Sequence, residues 1–131
     1  MFGNIFKGNR WQGFKKLWVP AILYAGFIFY QSSLPYPLEA VVSDMSVLHV
    51  PLFFVFSYML ARALSGSGIR GRNAIVAAIV VTALYGVLDE VHQLYVPGRT
   101  FSYSDMGFDF LGGCLIVFKA WWEKLFEKVN L

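Results

Sequence analysis

The chain alternates between long uncharged runs and short polar segments. No charged residue occurs between Leu17 and Leu38, a window of 22 residues. At 1.5 Å per residue, a helix of this length crosses a hydrocarbon core of about 30 Å. The run contains no small-x-small cleavage site and is longer than a signal-peptide core, so we expect it to be a retained transmembrane helix.

Three further apolar runs follow the first. The second is uncharged apart from His49, and the fourth contains Asp109. The third and fourth runs are only 16 and 13 residues long, so each must take residues from the polar segment 89–105 into its helix to cross the bilayer. The three runs are Met45–Ala61, Asn73–Leu88 and Met106–Phe118. With the first run they predict an all-α fold, an integral membrane bundle of four transmembrane helices.

The basic residues predict the orientation of this bundle. Of the 11 Lys and Arg residues, four precede the first run, three lie between the second and third runs, and three follow the fourth. The other two connections carry only Arg99. Because Lys and Arg are retained on the cytoplasmic side, both termini are expected in the cytoplasm. All four tryptophans flank that same side, as an interfacial belt does.

This pattern divides the chain into three parts. They are a basic amphipathic cytoplasmic segment (1–16), a four-helix transmembrane domain (17–122) and a cytoplasmic tail (123–131). Only 15% of residues are charged, against about 25% in soluble domains. The net charge of +3 comes from short flanks and not from a basic stripe, which argues against nucleic-acid binding. The single cysteine, Cys114, lies in an apolar run and is expected to pack there.

The predicted topology places nearly all remaining polar and ionisable side chains at the outer end of the bundle. Charged groups at membrane depth cost several kcal/mol unless they are paired, so such a cluster is a candidate functional site. Its members are His49, Asp89, Glu90, Gln93, Arg99, Ser102, Asp105 and Asp109.

The spacing of these residues along the sequence allows their side chains to lie close together. If the third helix continues past Leu88, Asp89 and Gln93 share one face at four-residue spacing, and Glu90 is turned about 100° away. His92 is expected to be an exposed residue beside the loop. The Pro97-Gly98 pair predicts a tight turn back to the membrane.

Polar residues at fixed spacing mark the start of the fourth run. Ser102 stands three residues before Asp105, which resembles a helix-capping pair. Asp105 and Asp109 are four residues apart, so both can face the bundle. The neighbouring Gly112-Gly113 pair is expected to allow close helix packing.

These residues also carry a resemblance to a known family. The block from Asp89 to Arg99 reads DEVHQLYVPGR and is followed by Ser102, Asp105, Asp109 and Gly112. It is similar to the signature of the VanZ-like family, which has an acidic pair, a Gln, Pro-Gly-Arg, and then Ser and Asp before a glycine-containing helix. The SSLP sequence at 32–35 and His49 are similar too, so the resemblance runs from about Ser32 to Gly112. Two positions differ: Ser46 stands where the family usually has Lys, and Asp109 where Asn is frequent.

The resemblance implies a VanZ-like domain over 17–122 in a multi-pass protein of the bacterial cytoplasmic membrane. The family is named for a protein linked to teicoplanin resistance. It therefore implies a role at the cell envelope, with glycopeptide resistance as a possible phenotype.

Three functions fit the cluster. In the first, Arg99 holds a phosphate or carboxylate of an outer-leaflet lipid or lipid-linked wall precursor. The other ligand-binding residues are then Gln93, Ser102, Asp105 and Asp109. In the second, the protein is an enzyme that modifies such a lipid by acid–base chemistry. Its catalytic residues are then His49, Asp89 and Glu90. In the third, the chain is an accessory subunit of another membrane protein.

Two further interpretations of the cluster are an ion-pair network and a cation site. The acids and Arg99 can form a buried ion-pair network that only fixes the outer loop. No metal motif of standard spacing is present, and no cofactor is expected. A divalent cation held by His49 and the carboxylates stays an open alternative, with oxygen ligands favouring Mg, Ca or Mn.

Overall fold

The structure is a computed structural model that describes residues 10–35, 45–69 and 71–129. Within these ranges every regular element is a helix. The helices are α1 (Arg10–Ser33), α2 (His49–Gly66), α3 (Arg72–Gln93), α4 (Tyr103–Cys114) and α5 (Ile116–Val129), and a 3₁₀ turn (Met45–Leu48) leads into α2. The all-α prediction is confirmed for this part of the chain. The charged residues Lys7, Glu39, Asp44 and Arg70 lie outside it.

Both predicted segment boundaries fall within helices. The boundary after residue 16 lies inside α1, and the boundary after residue 122 lies inside α5. The predicted fourth helix is interrupted at Leu115, although this residue keeps right-handed helical angles (φ −62°, ψ −19°). As predicted, α3 continues past Leu88 and takes in the polar residues up to Gln93.

One described helix, α3, is long and apolar enough by length and composition to cross a membrane. Its 22 residues give a length of about 33 Å. The α4 and α5 helices have 12 and 14 residues, each too short to span alone. The amides of Leu115 and Lys119 still donate to the carbonyls of Leu111 and Leu115, so the helical path continues from α4 into α5. A bundle of four spans is therefore still a prediction.

The α2 helix lies at the centre of the fold and packs against α1, α3 and α4. A buried apolar cluster fills this centre, made of Ile28, Phe53, Phe56, Leu60, Ala78 and Ile116. Towards one end, the Trp18 indole N–H donates to Ser67 Oγ at 2.7 Å and joins the start of α1 to the end of α2. At the other end lie the polar residues that the sequence singles out.

The surface of the helical bundle is apolar and its interior is partly polar. Leu23, Leu88 and Phe118 are each at least 66% exposed, whereas Glu90 and Asp109 are 0% and 1% exposed. Water would favour the reverse distribution, because exposed apolar area and buried carboxyl groups both raise the free energy of a soluble fold. This arrangement suits a helical protein whose outer surface contacts lipid.

The connection from α3 to α4 contains the predicted tight turn. The Arg99 amide donates to Val96 O at 3.1 Å across Pro97 and Gly98. Gly98 has a φ of +80°, the conformation that a type II turn requires after its proline. The turn places Arg99 against the end of α1 and leads the chain into α4.

Candidate functional site

Asp89 joins α3 to α1. Its carboxylate is 4% exposed and accepts hydrogen bonds from the Ser32 hydroxyl and from Gln93 Nε2, the latter at 3.0 Å. The contact with Gln93 confirms that these two residues share a helical face. Ser32 and Gln93 are themselves buried, so this group forms a closed polar contact between the two helices.

His92 lies inside α3 and not on a loop. The expectation that it is exposed is wrong, because α3 continues to Gln93 and turns His92 toward α1. Its ring stacks on Phe29 at 4.3 Å, and its Nε2 lies 2.9 Å from Ser33 Oγ. The Ser33 hydroxyl donates its proton to Phe29 O at 2.7 Å, so we assign His92 Nε2 as the donor to Ser33. A serine whose proton is given to a carbonyl is not activated as a nucleophile.

His49 and Asp109 form a pair between α2 and α4. His49 Nδ1 lies 2.7 Å from Asp109 Oδ1, and the side chains are 18% and 1% exposed. The imidazole ring stacks on Phe53 at 6.0 Å with an interplanar angle of 7°. Among the described residues Nε2 of His49 has no hydrogen-bond partner, so the pair holds the ring in place and leaves one nitrogen for other contacts.

Glu90 faces away from Asp89, toward the start of α4. Its Oε2 accepts the Ser102 amide N–H at 2.8 Å, while Oε1 has no partner among the described residues. Ser102 is the N-cap of α4, and its hydroxyl accepts from the Asp105 amide at 3.2 Å. The predicted capping signature is therefore confirmed, and Glu90 is bound to the capping residue.

The carboxyl groups form one electrostatic cluster. Glu90 interacts with Asp105, Asp109 and His49, and Asp109 interacts also with Asp89. One oxygen each of Asp105 and Asp109 lacks a hydrogen-bond partner among the described residues, as Oε1 of Glu90 does. The structure thus brings together the three predicted catalytic residues and the two predicted aspartate ligands.

The described hydrogen bonds of Arg99 go to backbone carbonyls of α1. Its Nε donates to Leu34 O at 3.1 Å and its Nη2 donates to Gln31 O at 3.0 Å. These carbonyls lie at the C-terminal end of α1, where the helix dipole favours a cation. Arg99 therefore caps α1, and its role in ligand binding stays a prediction, as do the ligand roles of Gln93 and Ser102.

Two glycines let the helices approach closely enough to form the cluster. A Cβ atom on Gly112 would lie 2.4 Å from the Val50 carbonyl oxygen, and one on Gly86 would lie 2.8 Å from Asp109 Oδ2. Gly112 thus allows α4 to reach α2 one turn from the His49–Asp109 pair. The close packing predicted at Gly112 is confirmed. Gly86 went unrecognised in the sequence because the residue opposite it is known only from the packing of α3 on α4.

A polar layer below the cluster also went unrecognised. The Ser57 hydroxyl donates to Gly113 O at 3.2 Å, and Thr82 is fully buried with its hydroxyl unpartnered among the described residues. Thr82, Gly86 and Glu90 follow one another at four-residue spacing, so they share one face of α3. That spacing is visible in the sequence but is also typical of an ordinary packing face.

Among residues 10–35, 45–69 and 71–129, no three His, Cys, Asp or Glu side chains converge closely enough to hold a metal ion. The carboxyl groups of the cluster have oxygens that can accept hydrogen bonds or take part in proton transfer.

An apolar exterior and one described helix that is long and apolar enough to span a bilayer suggest a helical membrane protein with a buried acidic cluster at one end. The chain belongs to the VanZ/LLP1 family, whose model matches residues 17–123. This match confirms the family expected from the acidic pair and the Pro-Gly-Arg turn. Comparison with curated proteins and with solved structures gave no match.

Proposed function

We propose that this protein crosses the bacterial cytoplasmic membrane several times and binds the headgroup of an envelope lipid or lipid-linked wall precursor at its outer face. The observation that carries the proposal is the pair Glu90 and Asp109, two fully buried carboxyl groups that each have an oxygen without a partner among the described residues. Ionisable groups at this depth are costly, and functional sites are the usual reason for them.

The distribution of charge supports the outward orientation. Arg62 lies near the end of α2, Arg72 begins α3, and Lys119 lies in α5, all at the end opposite the acidic cluster. Since basic residues favour the cytoplasmic side, the cluster lies on the outer side, where wall precursors are displayed. Tyr95 and Tyr103, both more than 80% exposed beside the cluster, suit the membrane–water interface.

Teicoplanin susceptibility tests whether this site acts at the cell envelope. A sensitive bacterial host would express wild type, Glu90→Gln or Glu123→Gln at matched membrane levels. Glu123 is a matched control because its carboxylate is exposed and contacts Lys119, away from the cluster. We expect wild type and Glu123→Gln to protect and Glu90→Gln to fail. Equal protection by all three would show that resistance does not depend on the cluster. No protection by any of them would show that the protein does not confer resistance.

The His49–Asp109 pair favours an enzyme as the second candidate. A buried carboxylate that holds one imidazole nitrogen leaves the other to accept or donate a proton, as a general acid–base group requires. Glu90 would supply the second proton-transferring group. Purified wild type incubated with an envelope lipid extract should then yield a lipid of changed mass, and the activity should follow a bell-shaped pH profile that Glu90→Gln abolishes. An unchanged lipid profile would exclude this candidate.

A further inference from the structure

The end of the bundle opposite the acidic cluster is basic. Lys15 and Lys16 of α1, Arg72 of α3 and Lys124 of α5 are exposed there. Glu123 is the one acidic side chain that the structure describes at this end. This end therefore carries an excess of positive charge, which attracts anions.

Two further cations at this end are held by one aromatic ring. The guanidinium carbon of Arg62, near the end of α2, lies over the Tyr58 ring at 5.9 Å from its centroid. Lys119 Nζ, from α5, lies over the same ring at 4.7 Å. Such cation–π contacts position a cation without neutralising its charge or using up its N–H donors. Tyr58, Arg62 and Lys119 thus form an α2–α5 corner in which each helix contributes one positioned cation.

The charge of the α2–α5 corner is only partly balanced. Among the described residues Arg62 has no carboxylate partner, and Lys119 pairs with Glu123 one helical turn away. Glu123 is 59% exposed, and an exposed pair of this kind contributes little because water and salt screen it. Two cations held over one ring repel each other, so an anion beside them would stabilise the corner.

The surroundings of the corner favour a lipid as the source of this anion. Val117 and Phe118, directly before Lys119, are 50% and 68% exposed and offer an apolar surface to an acyl chain. Trp121 and Trp122, directly after it in α5, are half-exposed, as is typical of tryptophan at a membrane–water interface. Basic residues grouped between helices at the cytoplasmic surface bind anionic lipid headgroups in membrane proteins.

We infer that the α2–α5 corner binds the phosphate of an anionic phospholipid, on the side of the membrane opposite the acidic cluster. Arg62 and Lys119 contact the phosphate, and Tyr58 holds both cations in place. The inference rests on the membrane placement in the proposed function. It does not depend on what the acidic cluster binds.

Tryptophan quenching by brominated lipids tests the inference. All four tryptophans, Trp11, Trp18, Trp121 and Trp122, lie at the basic end, so a lipid bound at the acidic cluster does not contribute to the signal. The full-length protein would be reconstituted in mixtures of phosphatidylcholine and phosphatidylglycerol, with bromine on one lipid at a time. We expect a preference for phosphatidylglycerol of at least about tenfold, which two basic residues at a membrane surface can supply.

A variant pair of equal charge separates the corner from the general positive field. Arg62→Gln/Lys119→Gln should lose most of the preference for phosphatidylglycerol. Lys15→Gln/Lys16→Gln removes the same charge from the same end and should retain most of it. Equal loss in the two double variants would overturn the assignment to the corner.

Substitutions of Tyr58 test the same point without changing the charge. Tyr58→Leu leaves Arg62 and Lys119 in place but removes the ring that holds them, so the preference should fall severalfold. Tyr58→Phe keeps the ring and should retain the preference. An unchanged preference in Tyr58→Leu would overturn the role of the corner, also where the Arg62 and Lys119 variant does not fold.

The remaining outcomes separate this inference from the proposed function. Equal quenching by the two brominated lipids in wild type would overturn the inference and leave the acidic cluster untouched. Glu90→Gln should keep the preference for phosphatidylglycerol, since it alters only the opposite end. A loss of the preference in Glu90→Gln would also overturn the assignment to the corner.

Discussion

His49 Nδ1 lies 2.7 Å from Asp109 Oδ1, which joins the first residue of α2 to the middle of α4 across 60 positions of sequence. Both groups lie where apolar packing would otherwise be expected. Because Asp109 is 1% exposed, water cannot replace its partner if the pair is broken.

Asp109→Ala should therefore be strongly destabilising. It removes the buried hydrogen-bond partner of the partly buried His49 ring, and we expect a loss of about 3–5 kcal/mol in the free energy of unfolding. Asp109→Asn keeps an oxygen at the same place and should cost less than half as much. Thermal unfolding in detergent, followed by tryptophan fluorescence, measures both. Equal losses in the two variants would show that the hydrogen bond to His49 contributes little.

Gly112→Ala should destabilise the packing of α4 on α2. The added Cβ would meet the Val50 carbonyl at 2.4 Å, and backbone cannot move aside as a side chain can. We expect a loss of about 1–3 kcal/mol, the usual cost of overpacking.

Gly107→Ala is the matched control in the same helix, since nothing lies within 4 Å of its added Cβ. It should be neutral or stabilise α4 slightly, because alanine is the better helix former. A comparable loss of stability in both variants would attribute the effect to α4 itself and not to its contact with α2.

Arg99→Ala should loosen the last turn of α1. The variant loses two charge-assisted hydrogen bonds to the carbonyls of Gln31 and Leu34. Hydrogen–deuterium exchange of amides in the last turn of α1 should become about tenfold faster, which corresponds to about 1.4 kcal/mol. Arg72→Ala, at the opposite end of the molecule, should leave this region unchanged. Unaltered exchange in Arg99→Ala would mean that the cap does not stabilise α1.

Single cysteines test the proposed orientation in intact cells. In a Cys114→Ser background, Tyr95→Cys should react with a membrane-impermeant maleimide from outside, because Tyr95 is 83% exposed beside the outer cluster. Lys124→Cys should react only after the cells are permeabilised, since the basic tail is expected in the cytoplasm. The opposite labelling pattern would reverse the topology.

Features that depend on residues close together in the chain were predictable from the sequence. The contact of Asp89 with Gln93, the Ser102 cap and the Pro97-Gly98 turn all follow from spacings of four residues or fewer. Such features are fixed by helix and turn geometry alone.

Contacts between helices were harder to predict. Ser32 meets Asp89 across 57 positions, and this pairing depends on the register of α1 against α3. The charge of Arg99 predicts an anionic partner. The structure shows it donating to a carbonyl at the end of α1, and no local sequence pattern indicates this contact. The irregular turn at Leu115 is a third case, because the run around it is continuously apolar and the Gly112-Gly113 pair before it was interpreted only as a packing feature.

Ser102 makes two contacts at once: its amide holds Glu90, and its hydroxyl caps α4. The position of the Glu90 carboxyl group and the first turn of α4 are therefore linked through Ser102. Anything that takes over the Glu90 oxygen now held by this amide also disturbs the cap. A structural change at Glu90, near the end of α3, would then alter the first turn of α4.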